Sequence, residues 1–241
     1  LDISFHILAA GSPFFSISNI AKSFHHKRVL KSISFQLNPG ERTVLIGPNG
    51  VGKTTLLKIL AGIMRPDKGT GSLNDLPMFT DDARHRKNLV LWAHQPLFYP
   101  AFTAMENLRF FLELRNDKVS DEKIEEEFVK YDLHRHKSEP VRIYSAGMLQ
   151  RLTMIKLTLS SWKLALMDEP TSALDISGLK QLDHLFETWG NEGRSILFST
   201  HDIQWAEKHS DRVIGIRNGK VELEKSIPKL DDFTTFLESN S

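Results

Sequence analysis

No cysteine occurs among the 241 residues of this chain. A disulfide scaffold and any cysteine-held metal site are excluded, and a reducing, cytosolic setting is consistent with that composition. No apolar run approaches the ~20 residues a helix needs to cross a bilayer. If the protein works at a membrane, other chains must supply the spans. Charge of one sign is not in excess: the formal net charge is +1. No long basic run replaces it, so nothing global points to nucleic acid as a partner. Neither an internal repeat nor a low-complexity tract is visible. Leu1 to Ala10 is mildly apolar but holds Asp2 and His6 without a basic lead, so it does not read as a signal peptide. The chain starts at Leu, which leaves its true start open. The length suits one α/β domain with a sub-domain as well as two small domains.

What is present is a complete phosphate loop. Gly47-Pro48-Asn49-Gly50-Val51-Gly52-Lys53-Thr54 fits G-x-x-x-x-G-K-[ST], follows the apolar run Thr43-Val44-Leu45-Ile46 and opens the helix-like run from Thr55 to Leu60. Glycines let the backbone curl so that N–H groups point at phosphate oxygens, and the helix N-terminus adds its positive dipole end. Lys53 can reach the β- and γ-phosphates and the Thr54 hydroxyl can ligate Mg²⁺. These eight residues, with Thr55 beginning the helix, are the candidate contacts to the nucleoside triphosphate.

Phe14 to Ile20 and Val29 to Leu37 alternate apolar and polar residues, as half-buried antiparallel strands do. Leu89 to Trp92, Leu164 to Met167 and Ser195 to Phe198 are apolar nearly throughout and read as central parallel strands. A polar helical region runs from about Thr103 to Ser160, and its charged stretch Asp121 to Lys130 reads as a solvated helix face. Val213 to Val221 reads as a strand pair turning at Asn218-Gly219. Ile227 to Ser241 reads as a short amphipathic helix with Leu230, Phe233, Phe236 and Leu237 on one side. The strand Leu164 to Met167 ends in two carboxylates. Asp168 is placed to hold Mg²⁺ opposite Thr54, and Glu169, one residue on, to polarise an attacking water.

Taken together, the phosphate loop, Asp168-Glu169-Pro170-Thr171-Ser172-Ala173-Leu174-Asp175 and Ser199-Thr200-His201-Asp202 resemble the ATP-binding cassette (ABC) ATPases. Order and spacing match as well: Ser145 to Asp168 is 23 positions and Asp168 to His201 is 33. The resemblance covers roughly Phe14 to Val221. It implies that His201 is the switch histidine at the γ-phosphate and that Gln95 approaches Mg²⁺ and the water. It further implies that Asp175 crosses a dimer interface and that Phe24 stacks on adenine. His25 and His26 read as exposed residues, not metal ligands. Tyr144-Ser145-Ala146-Gly147-Met148 occupies the place of the family's Leu-Ser-Gly-Gly-Gln signature and departs from it at three positions. Ser145 and Gly147 are kept, opening a helix toward a γ-phosphate. Ala146 adds a methyl, and Met148 loses an amide. Gln150-Arg151 continues as in the family.

The resemblance implies an α/β P-loop core with an N-terminal antiparallel β portion and an inserted helical sub-domain. The expected domain is 14–221, with the helical part at about 98–160 and a C-terminal extension at 222–241. It also implies a head-to-tail sandwich with a second ATPase subunit, a second copy of this chain being the simplest case. Mg²⁺-ATP would lie between Lys53 and Thr54 of one subunit and Ser145 and Gly147 of the other. Lys53, His201 and Gln95 would assist Glu169 in hydrolysis.

The aromatic run from Pro96 to Phe102 lies where family transporters receive a helix of the membrane subunit, so Phe98, Tyr99 and Phe102 are expected to line a groove. The signature and Glu106 to Phe111 are similar to exporters, among them the haem-exporter ATPases of cytochrome c maturation. The expected setting is the cytoplasmic face of a membrane, beside multi-pass transporter subunits. The alternative is a soluble ABC ATPase of iron–sulfur cluster assembly, which is also single-cassette and of similar length. DNA-acting members carry large insertions and translation factors carry two cassettes, and neither is present here. Adenylate-type kinases and small GTPases lack the signature and the switch histidine.

Overall fold

The computed structural model describes residues 13–94 and 97–238. The reading of Leu1 to Ala10 lies outside the described residues, as does the role expected of Gln95.

Alternation in the first two apolar segments produces a long hairpin, β1 (Phe15–Phe24) and β2 (Lys27–Leu37), antiparallel from Phe15 opposite Leu37 to Phe24 opposite Lys27. Period-two patterning sends Phe15, Ile17, Ile33, Phe35 and Leu37 inward. β3 (Arg42–Ile46) is buried on both faces, with Val44 and Ile46 entering one hydrophobic cluster and Leu45 the other. The loop after it leads into α1 (Lys53–Leu60). β4 (Lys68–Leu73) and β5 (Leu76–Pro77) extend the antiparallel side and have no counterpart in the sequence reading. Gly69 and Gly71 dilute the strand signal there. Gly69 is required, because a Cβ would lie 2.7 Å from the Ser18 carbonyl oxygen.

β6 (Leu89–Trp92) follows, and then three helices. α2 (Ala104–Arg115) begins at a capping box in which Thr103 and Glu106 satisfy each other's backbone N–H. α3 (Asp121–Lys130) is capped by Ser120, and α4 (Ala146–Leu159) by Ser145. The charged α3 is not wholly a solvated face. Glu127 is buried beside Ile124 and Phe128, with Lys123 and Lys130 Nζ 3.6 and 3.8 Å from its carboxylate oxygens.

The remaining elements alternate strand and helix: β7 (Leu164–Asp168), α5 (Ile176–Asn191), β8 (Ser195–Ser199), α6 (Ile203–His209) and β9 (Arg212–Arg217). β10 (Lys220–Ser226) returns antiparallel to β9 through Asn218 and Gly219, both at positive φ as a type I′ turn requires. α7 (Leu230–Glu238) buries Phe233 and Phe236. Gly215 makes room for it, since a Cβ there would meet the Phe236 ring at 2.7 Å.

The ten strands among the described residues form one sheet in the order β5-β4-β1-β2-β10-β9-β3-β8-β7-β6. The block from β9 to β6 is parallel. β6 is therefore the outermost strand of that block and not a central one, as its apolar run suggested. Its two faces enter different clusters, Val90 and Trp92 on one side and Leu89 on the other. An edge strand covered on both faces carries the same continuous apolar pattern as a central one. The result is an α/β P-loop core with an antiparallel β portion at one end and the helices α2 to α4 inserted between β6 and β7.

Candidate active site

Between β3 and α1 the loop turns through positive φ at Gly47, Gly50 and Gly52. A Cβ on Gly47 would lie 2.3 Å from the Ile216 carbonyl oxygen, and one on Gly52 would lie 2.7 Å from a Leu30 methyl. Only glycine lets this loop sit so close to the sheet. Lys53 is buried; its Nζ donates to the Gly47 carbonyl at 2.7 Å and to that of Pro48 at 3.4 Å. Burial pushes its pKa below the usual lysine value, against the raising influence of Glu169 and Asp168.

The parallel strands deliver the acidic groups to the same end of the sheet. Asp168, the last residue of β7, is buried and accepts from Thr54 Oγ1 at 2.8 Å through one oxygen and from Ser199 Oγ at 2.7 Å through the other. Glu169 adopts φ 55°, in the left-handed region, a conformation that costs a non-glycine residue about 1–3 kcal/mol and must be held by its surroundings. Its N–H donates to the Ser199 carbonyl at 3.1 Å, and its own carbonyl accepts from Ser172 N–H at 3.1 Å and Ser172 Oγ at 2.8 Å. The Glu169 carboxylate accepts from the His201 backbone N–H at 3.1 Å, with His201 Nε2 3.3 Å away.

One depression gathers Asn49, Gly50, Gly52, Lys53, Thr54 and Thr55 from the loop and α1, His94 after β6, Asp168 and Glu169 from β7, and His201 after β8. On the loop's other side, Pro48, Asn49, Gly50 and Val51 share a depression with Lys27, Arg28, Lys31 and Arg217. Phe24 stands across the β1–β2 turn from Lys27; it is 39% exposed, with Lys22 Nζ 5.9 Å from its ring centroid.

Ser145, Gly147 and Asp175 lie elsewhere. They line a separate depression with Met148 and Arg151, which has no described residue in common with the one holding Lys53 and Glu169. Ser145 Oγ accepts from Met148 N–H at 3.2 Å and so begins α4. Asp175 caps α5 through Gly178 N–H at 2.7 Å and pairs with Arg151 Nη2 at 2.9 Å. Those two partners, the Gly178 N–H foremost, hold its carboxyl below the usual range. Two of the three departures from the family signature have local reasons: Tyr144 OH donates to the His136 carbonyl at 2.6 Å, and Met148 packs against the core.

A family model described as ABC transporter matches residues 30–172. The chain belongs to the ABC transporter family. It is similar to the uncharacterised ABC transporter ATP-binding protein YdbJ of Bacillus subtilis, 34% identical over 92% of this chain and 72% of that one. The cytochrome c biogenesis ATP-binding export protein CcmA of Vibrio cholerae is 31% identical over 85% of this chain and 99% of its own. Among solved structures, the ATP-binding subunit of an ABC transporter superposes with a TM-score of 0.81 at 26% identity, covering 92% of both chains. The chain is thus an ATP-binding, ATP-hydrolysing cassette of this family.

Sequence reasoning missed several residues around the cassette's carboxylates. Ser199 and Ser172 hold Asp168 and Glu169 in place, and His94 joins the depression. Ser199 was within reach, since it ends an apolar strand just before Thr200-His201. Ser172 lies within the acidic stretch quoted for the family, but its hydroxyl carries no signal in sequence. Of the aromatic run, Phe98 and Tyr99 line a groove with Ile63, Leu91, Leu97 and Leu114. Phe102 is not among its lining residues and packs on Tyr99 at 5.2 Å between ring centroids.

Proposed function

We propose that this cassette is the ATPase subunit of a membrane exporter, bound to the cytoplasmic face of the membrane by multi-pass partners and acting as a head-to-tail dimer. The observation that carries the reading is the division of the site. Lys53, Thr54, Asp168, Glu169 and His201 converge in one depression, while Ser145 and Gly147 face another. A nucleotide held by both sets is proposed to lie between two subunits. Its γ-phosphate would then join a surface that separates once the phosphate is hydrolysed, and the motion can be no larger than the nucleotide's differential affinity for the two states.

Thr54 and Asp168 fit a magnesium ion. They are hard oxygen donors 2.8 Å apart at the loop's edge, and among the described residues no cluster of three or more acidic or histidine side chains forms a full protein cage. Magnesium favours this arrangement, one or two protein oxygens with water and phosphate completing the set, and Gln95 is proposed to approach it as well. When bound, the ion neutralises charge on the β- and γ-phosphates.

The chain's own groups supply the rest. The loop's N–H groups and Lys53 bind the phosphates, so Lys53 must exchange its bonds to Gly47 and Pro48 for phosphate oxygens. Glu169 orients and polarises the water, with His201 beside it to meet the γ-phosphate. Ser145 and Gly147, at the N-terminus of α4, present hydroxyl and N–H groups to the partner's nucleotide. Phe24 stacks on the adenine, and Asp175 faces the second subunit. The domain is proposed to span 14–221, with the helical part at about 98–160 and an extension at 222–241.

Among the described residues no helix is long and apolar enough to cross a membrane, and the proposed multi-pass partners supply the spans. The groove around Phe98 and Tyr99 is the proposed seat of the partner's helix. The relatives found carry transport and export names, and the iron–sulfur alternative gains no support from them. Affinity purification of the tagged chain from native cells, with membrane and soluble fractions analysed separately by mass spectrometry, tests the assignment. Recovery with a multi-pass membrane protein, lost on Tyr99→Asp, is the expected result. Enrichment only with soluble cluster-assembly proteins would overturn the transport reading.

A further inference from the structure

Gln150 lies in the second turn of α4, is 3% exposed, and spends its whole amide on two fixed partners. Its Oε1 accepts from Trp92 Nε1 at 2.5 Å, and its Nε2 donates to the Ser172 carbonyl at 3.3 Å and approaches Ser172 Oγ at 3.5 Å. The amide's orientation is dictated by chemistry at both ends. An indole N–H can only donate and a carbonyl can only accept, so Oε1 must face Trp92 and Nε2 must face Ser172. Ser172 in turn holds the Glu169 carbonyl with both its N–H and its hydroxyl. Glu169 is the residue that needs holding, because its left-handed backbone is not one a glutamate adopts unaided.

We propose that Gln150 is a positioning residue for hydrolysis: through Ser172 it fixes the backbone of Glu169, and Trp92 fixes Gln150. The inference rests on the reading of Glu169 as the group that orients the attacking water. It joins three parts of the molecule that the sequence keeps far apart: the end of β6, the signature helix α4 and the strand-end carboxylate. Gln150 is buried and does not line the depression of Lys53 and Glu169, so it acts only by where it places Glu169. Removing its Ser172 bonds should therefore lower kcat and leave nucleotide affinity alone.

Two variants separate the two ends of the amide. Gln150→Glu keeps an acceptor for Trp92 and sets an oxygen against the Ser172 carbonyl; Trp92→Phe leaves the Ser172 bonds and removes the indole donor, together with part of a buried ring. For Gln150→Glu we expect kcat to fall by about 10–100-fold with KM within about threefold, the scale on which a misplaced catalytic group acts. Trp92→Phe should fall in the same direction by less. In single-turnover measurements, Gln150→Glu added to Glu169→Gln should cost little beyond Glu169→Gln alone, because the two act through one group. A folded Gln150→Glu protein with wild-type kcat, a rise in KM at unchanged kcat, or effects that multiply fully with Glu169→Gln would each overturn the proposal. Undiminished turnover in Glu169→Gln itself would instead sink the reading of Glu169, so the two failures are told apart by separate variants.

Discussion

The His201 backbone N–H donates to the Glu169 carboxylate at 3.1 Å, and the His201 ring nitrogen stands 3.3 Å from the other carboxylate oxygen. The loop after β8 thus aims the side chain whose backbone the Ser172 and Ser199 contacts already hold. Glu169→Gln keeps an acceptor for the His201 N–H and removes the charge, so the local fold should persist. Turnover measured by phosphate release should drop by roughly 10²–10⁴, the usual cost of removing a positioned acid–base group. Equilibrium ATP binding should survive, and ATP should hold the variant as a dimer in size-exclusion chromatography. Turnover close to wild type would remove Glu169 from the chemistry.

Lys156 is a buried cation that the hydrolytic site does not use. It is 5% exposed, with its Nζ 5.0 Å from the Phe98 ring centroid and 5.1 Å from that of Phe111. Burial, with a smaller contribution from Arg115, pushes its pKa down from 10.5 to about 8. The folded value lies below the unfolded one, so between about pH 8 and 10.5 the unfolded chain holds more protons and this group makes stability rise with pH. At neutral pH the full penalty of the buried charge is present. Lys156→Met should therefore raise the thermal midpoint at pH 7, by a stability gain on the order of 1–3 kcal/mol. The advantage over wild type should shrink in melts at pH 9.5. A variant less stable than wild type at pH 7 would show that the two rings more than offset the burial.

Local chemistry is what the sequence displays well. Gly47 to Thr54 needs its glycines within one turn of chain, and Asp168-Glu169 ends a strand visible from four apolar residues, so both could be read without the fold. The hairpin turn at Asn218-Gly219 is legible for the same reason. Placement across the fold is a different matter. β6 reads as a central strand because both of its faces pack into hydrophobic clusters, although one edge has no strand beside it. Glu127 reads as solvated because its helix is charged, and only the packed arrangement shows it between Ile124 and Phe128. The chain Trp92–Gln150–Ser172–Glu169 joins residues 58 and 22 positions apart. No local pattern pairs Trp92 with Gln150 or Gln150 with Ser172, and no glycine marks the left-handed backbone at Glu169.

The separation of Lys53 from Ser145 into different depressions makes a quantitative demand on the oligomer. If each nucleotide lies between the loop of one subunit and the signature of the other, Lys53→Ala and Ser145→Arg each disable both sites of a homodimer. A mixed dimer of the two variants differs: one of its sites carries both defects and the other carries none. An equimolar mixture that exchanges freely holds about half mixed dimers in a two-fold assembly, so independent sites should recover up to about a quarter of wild-type turnover. Coupling between the sites would lower that figure without abolishing it. The measurement is ATPase activity of each variant alone and of the mixture at matched total protein, with exchange verified by differently tagged chains. Recovery above both separate variants places the two halves on different subunits. If exchange is complete and the mixture stays as inactive as its components, the shared site is wrong and each chain must close over its own nucleotide.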